Sequence, residues 1–92
     1  MFGLVGKVIA KAGTGPQLAK ILAQGSSGMP GNVAYLVALD AEDADQIWIH
    51  EVWESEAAHR SSLELPSVQT AIAQGRPLIE RFEMSRRVHP VA

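Results

Sequence analysis

Glu51-Val52-Trp53-Glu54-Ser55-Glu56-Ala57-Ala58-His59-Arg60-Ser61-Ser62-Leu63-Glu64-Leu65-Pro66 changes its periodicity part-way along, and that change decides the fold. Up to Glu54 the side chains alternate as in a strand. Ser55 is a good helix N-cap, and the small residues after it read as a helix to about Glu64, where Pro66 stops it. The unit sets Trp53 where a sheet meets a helix, in a chain with few aromatics. Such a junction suits a small planar ligand.

Outward from this segment, Gln46 to Glu54 reads as a strand with Ile47, Ile49, Glu51 and Trp53 on one face. Trp48, His50 and Val52 take the other. Asn32 to Leu39 reads as the preceding strand, with Val33, Tyr35, Val37 and Leu39 together. The polar connector Asp40 to Asp45 is short enough for a hairpin. A hairpin symmetric about it places Tyr35 opposite Glu51, and Val33 opposite Trp53.

Phe2 to Ala12 alternates loosely, with Leu4, Val8 and Ala10 against Lys7 and Lys11, and predicts a first strand. Gly13-Thr14-Gly15-Pro16 breaks it, and Pro16 is well placed to open a helix because its missing N–H has no partner there. Leu18, Ile21, Leu22 and Gly25 keep helical spacing, until the breakers from Gly25 to Gly31 turn the chain. Val68, Ala71, Ile72 and Gly75 predict a third helix that ends at Arg76-Pro77. Glu80 to His89 is the last strand, with Phe82, Met84, Arg86 and Val88 on one side.

The order strand, helix, strand, strand, helix, helix, strand is that of an α+β ferredoxin-like sandwich, a four-stranded antiparallel sheet with helices on one face. The length suits a single domain over residues 1–92. Such a chain buries roughly 64% of its unfolded surface, which makes association a simple way to enlarge the core. The third strand is apolar on both sides, as strands buried on both sides are. A homodimer with the two sheets face to face meets both demands.

Eight Lys and Arg against ten Asp and Glu, a net charge of −2, leave no electrostatic footprint for nucleic acid or an anionic membrane. The absence of cysteine excludes disulfides, thiolate metal sites and a Cys nucleophile. No apolar run approaches the roughly 20 residues of a membrane span. The first residues lack the pattern of a signal peptide. A soluble, cytoplasmic protein is the expectation. His50, His59 and His89 show no ligand spacing, so no metal site is expected. The glycine pairs are turn residues without nucleotide-site spacing.

With these elements in place, the chain resembles the antibiotic biosynthesis monooxygenase (ABM) family of small dimeric α+β-barrel proteins. The likeness rests on the opening strand ending in Lys11-Ala12-Gly13 and on the Met29-Pro30-Gly31 turn before Tyr35. It also rests on Glu51-Val52-Trp53-Glu54-Ser55 followed by Ala58, Leu63 and Pro66. The resemblance implies a cofactor-independent oxygenase of quinols or polyketide-type phenols, in which a deprotonated phenol passes an electron to O2. It implies an apolar pocket, a polar group for the proton and an aromatic wall. Glu51 and Trp53 stand at matching positions, with His50 beside them. Three departures stand out, one being Asn32 where relatives often hold a Cys after Pro-Gly. Many members carry a His nine residues after this Trp, where this chain has Ser62, and His59 lies about one helical turn earlier. The first-strand Asn of haem-degrading relatives has no counterpart among Val5, Gly6 and Lys7, which argues against haem degradation.

The candidate catalytic residues are therefore Glu51 and His59, with Trp53, Tyr35, Ser62 and His50 as candidate substrate contacts. A carboxylate between apolar neighbours, as Glu51 is, either sits exposed at a strand end, pairs with an Arg, or is buried with a raised pKa. Tyr35 or Arg86 are possible structural partners for it. His50 faces away from Glu51 and Trp53 in a regular strand, so only one of the two sets can line a pocket on the helix side. His59 has the chemistry of a base near neutral pH, or of an ordinary surface or interface residue. Besides a monooxygenase, an isomerase or decarboxylase on the same fold and a non-catalytic small-molecule-binding dimer fit the sequence.

Overall fold

The computed structural model describes residues 1–91; residue 92, the last of the expected domain, lies outside the described residues. The elements in order are β1 (Phe2–Ala10), α1 (Gly15–Gly25), β2 (Asn32–Leu39), β3 (Gln46–Trp53), α2 (Glu56–Ser62), α3 (Pro66–Gly75), a 3-10 turn (Arg76–Leu78) and β4 (Ile79–Val88). The strands form one antiparallel sheet in the order β2-β3-β1-β4. This is the expected α+β ferredoxin-like arrangement.

Local chemistry explains the helix starts. Ser55 caps α2 as its identity predicts, its Oγ accepting from the Ala58 N–H at 3.1 Å. In α1 the cap comes from a distant residue. Thr14 makes no side-chain cap, and the Asp45 carboxylate accepts instead from the Gly13 and Gly15 N–H groups, each at 2.9 Å. Those bonds, Gly13 first and Gly15 second, hold the Asp45 carboxyl below the usual range. Gly15 packs so closely on the backbone of Ala44 and Asp45 that a Cβ has no space there.

Pro66 does not simply stop a helix. It also opens α3 at its first turn, because a residue without an N–H costs least where the helix leaves that N–H unpaired. α2 ends at Ser62, and the Leu63, Glu64 and Leu65 N–H groups close the turn onto Arg60, Ser61 and Ser62 carbonyls.

Two of the three register shifts in the sheet correct the faces expected from simple alternation. Tyr35 does pair with Glu51, but Trp53 pairs with Asn32, and Val33 is the extra residue between Asn32 and Ala34. Val33 is consequently 51% exposed rather than set against Trp53. In β4, Met84 pairs with Lys7 and Phe82 with Val8, leaving Glu83 as the extra residue. Phe82 and Met84 therefore face opposite sides of the sheet. Phe82 shares the face of the buried Val8, while Met84 shares that of Lys7.

Val8, Ala10, Leu18 and Ile47 form the buried core, flanked by Leu22, Val37, Leu78 and Ile79. Full burial of a Leu or Ile side chain contributes about 1.5–3 kcal/mol, so Leu18 and Ile47, both fully buried, anchor α1 to β3. This dense packing sits beneath the start of α1. Further along β3, the space between sheet and helices is not filled by side chains.

Candidate active site

That unfilled space is a cavity of about 590 Å³ enclosed by the sheet, α1, α2 and α3, within the size range of small-molecule sites. Its floor includes Val8, Tyr35, Ile49, Glu51 and Trp53, and its helical wall includes Leu22, His59, Ser62, Val68 and Ile72. Most of the lining is apolar. Tyr35, Glu51, His59 and Ser62 converge where β2 and β3 meet α2, while Arg76, Glu80 and Arg81 line another part of the cavity.

Glu51 is the centre of this end. Its Oε1 accepts the Trp53 indole N–H at 3.0 Å and lies 4.0 Å from His59 Nε2. Among the described residues no hydrogen bond engages its other oxygen, Oε2. Burial raises the carboxyl pKa above the usual value, against the lowering effects of the Trp53 N–H and the His59 charge. Of the three settings open to this carboxylate, the buried one is realised. Neither Tyr35 nor Arg86 partners it. Arg86 pairs across β1 with Val5, on the other face of the sheet.

Tyr35 stands opposite Glu51 on β2 and lines the cavity. Burial, then the Glu51 charge, push its hydroxyl well above the usual phenol range. At neutral pH it is a hydrogen-bond donor, not a phenolate. His59 reaches the cavity from α2, its ring edge-on to Trp53 at 5.5 Å and tilted against Phe2 at 5.8 Å. Its side chain is 23% exposed, so it lies between cavity and solvent.

Trp53 is 1% exposed. It lines the cavity and also orients Glu51, a role that residue type alone does not announce. Ser62 is buried against the cavity, but its hydroxyl donates to the His59 carbonyl at 2.5 Å. The hydroxyl proton is thereby held by the helix, and the oxygen can still accept. His50 does not belong with these residues. It lies on the opposite face of β3, exposed, between Val5 and Leu36, because successive side chains of a strand alternate.

Sequence reasoning missed the outer walls of the cavity, Leu63, Ile72 and Phe82. Ile72 and Leu63 carry a helical signal that fits ordinary packing equally well. Phe82 was hidden by the β4 bulge, which no alternation pattern reveals.

Fold and site together define a ferredoxin-like α+β domain holding a largely apolar, carboxylate-tipped cavity. The family model described as antibiotic biosynthesis monooxygenase matches residues 1–74, and the chain belongs to this ABM family. No protein of curated function matches it. Among solved structures, a Chloroflexus aurantiacus protein carrying the same family description is 49% identical. The match covers 99% of this chain and 93% of that one, with a TM-score of 0.96. A Deinococcus radiodurans structure with that description is 25% identical over 100% of this chain and 94% of its own, at a TM-score of 0.79. A Nitrosomonas europaea structure, 10% identical with both chains fully covered, reaches a TM-score of 0.89 and bears on the fold alone. Among the described residues no helix is long and apolar enough to cross a membrane.

Proposed function

We propose that the protein is a cofactor-independent monooxygenase of a quinol or polyketide-type phenol, working as a homodimer. The observation that carries this reading is a buried, raised-pKa carboxylate with one free oxygen, set in an apolar cavity between a neutral tyrosine and a histidine.

The chemistry follows from those groups. The substrate ring lies in the apolar space with one hydroxyl directed to Glu51 Oε2, which takes its proton. The raised pKa makes this carboxylate a stronger base than an exposed one. The Tyr35 O–H donates to the developing phenolate oxygen. The phenolate transfers one electron to O2, and the resulting radical and superoxide combine at a ring carbon as a peroxide anion, which takes the proton held by Glu51 to become a hydroperoxide. Loss of that carbon's proton and cleavage of the O–O bond yield a quinone carbonyl and water. Phenol plus O2 thus becomes quinone plus water, with no other reductant consumed. His59, at the solvent side of Glu51, relays the ring carbon's proton to the departing oxygen, which leaves as water.

The dimer reading rests on the other face of the sheet. Leu36 and Trp48 are 62% and 38% exposed there, on the same face as Val5 and Val52. A second copy placed sheet to sheet removes this apolar surface from water. Sedimentation equilibrium tests it: Leu36→Asp yields a monomer, and an unchanged mass for wild type and variant refutes it.

Aerobic incubation of metal-free protein with hydroquinones and dihydroxynaphthalenes tests the chemistry. Stoichiometric oxygen uptake, lost in Glu51→Gln, is the expected result. No uptake above the uncatalysed rate across the panel sinks the monooxygenase reading. Conversion of substrate without oxygen would favour an isomerase or decarboxylase using the same base.

A further inference from the structure

The cavity has a second end, and its chemistry differs from the first. Phe82 stands there, and Phe82, Leu63 and Ile72 are large apolar residues of the cavity lining that are 71%, 45% and 39% exposed. Three large apolar side chains standing in water on the lining of one cavity mark a place where apolar matter docks. The sheet register gives the span. Phe82 pairs with Val8 and Val8 with Ile47, and Glu51 lies four residues along β3 from Ile47. Four residues at about 3.4 Å and two strand spacings of about 4.8 Å put Phe82 roughly 17 Å from Glu51 along the floor. A single aromatic ring held at Glu51 cannot touch both ends.

The charged residues near this mouth offer no consistent attraction for an anionic tail. Arg81 is engaged by Glu83 at 3.9 Å, and Glu80 opposes Arg76 in sign. The intervening walls, Ile49, Val68 and Ala71, are apolar.

We infer that the substrate is an amphiphile, a phenol or quinol ring bearing an uncharged alkyl or isoprenoid tail, with the ring at Glu51 and the tail emerging between Ile72 and Phe82. The inference rests on the placement of the ring proposed above and narrows the substrate class. In this geometry the apolar rim sets specificity, because it touches only the part of the substrate remote from the reacting hydroxyl.

The test separates binding from turnover. Dissociation constants of the 4-alkylphenols from methyl to octyl, measured by calorimetry under nitrogen below their aggregation limits, report the tail site whether or not the ring is oxidised. Affinity is expected to rise about fourfold per methylene until the tail clears the rim, then to level off. Phe82→Ser and Ile72→Ser, both at partly exposed positions that leave the buried core intact, should flatten the longer half of the series. A methyl-to-octyl series of equal affinity overturns the inference. So does a slope that persists unchanged in both variants, which marks nonspecific partitioning. Oxygen uptake with a short-tailed quinol, measured separately, decides the monooxygenase reading without bearing on the tail.

Discussion

Trp53→Phe isolates the part of the site that orients the base. Phenylalanine keeps an aromatic ring in the buried position but has no N–H to give to Glu51 Oε1, which the indole meets at 3.0 Å. A hydrogen bond to a charged group is worth about 1.5–3 kcal/mol, and one pKa unit corresponds to about 1.36 kcal/mol. Losing it therefore raises the Glu51 pKa further, on top of the elevation that burial already imposes. The His59 charge, the weaker of the two lowering effects, remains. In the proposed mechanism the deprotonated carboxylate is the active form, so kcat/KM should climb with pH through this pKa. The acid limb of the variant's profile should move to higher pH and approach the wild-type plateau at high pH. Oxygen uptake across a pH series measures it, with a thermal melt to confirm that the core survives. An acid limb that stays in place in a folded variant refutes the orienting role. A uniform loss at every pH would mean that Trp53 acts as a substrate wall alone.

Glu51→Gln should abolish oxygen uptake yet stabilise the fold at neutral pH. The folded pKa lies above the unfolded value of 4.5, so the native state binds the proton more tightly, and stability falls as pH rises through the folded pKa. Melting temperatures of variant and wild type should separate at pH 8 and converge below pH 4; no separation at pH 8 contradicts the burial argument. Asp45→Ala removes the cap of α1 supplied through Gly13 and Gly15. Because that carboxyl is held below its unfolded value, its stabilisation is present above the unfolded pKa and fades as pH falls through the folded one. The melting-temperature deficit should be plain at pH 7 and close in strong acid. Ser62→Ala loses only a bond to the His59 carbonyl, a change of about 1 kcal/mol, and should retain most oxygen uptake. A collapse of activity in a folded Ser62→Ala protein would give that hydroxyl a direct role.

The site was half legible in the sequence. Period-two alternation put Glu51 and Trp53 on one face of β3 and His50 on the other, and the hairpin turn set Tyr35 opposite Glu51. These are local consequences of strand geometry, so they survive folding. Parity held only as far as the next irregularity. Val33 in β2 and Glu83 in β4 each insert one residue, and a bulge carries no side-chain signature that alternation can read. The Phe82 wall was lost for that reason. The partner of Glu51 was also hidden, because a Trp at the second position along the same strand reads first as packing.

The sequence by itself determined the order of elements, the antiparallel sheet, the cap at Ser55 and the resemblance carried from Glu51 to Pro66. Each follows from interactions among residues close in the chain. Tertiary structure alone decided that Asp45 caps a helix about thirty residues before it, that Pro66 opens α3 as well as ending the segment before it, and that the core stops short and leaves a cavity. Those outcomes depend on which distant surfaces meet and on the volume left between them. The same holds for Glu51. Its position was written in the chain, but its elevated pKa comes from the walls that folding closes around it.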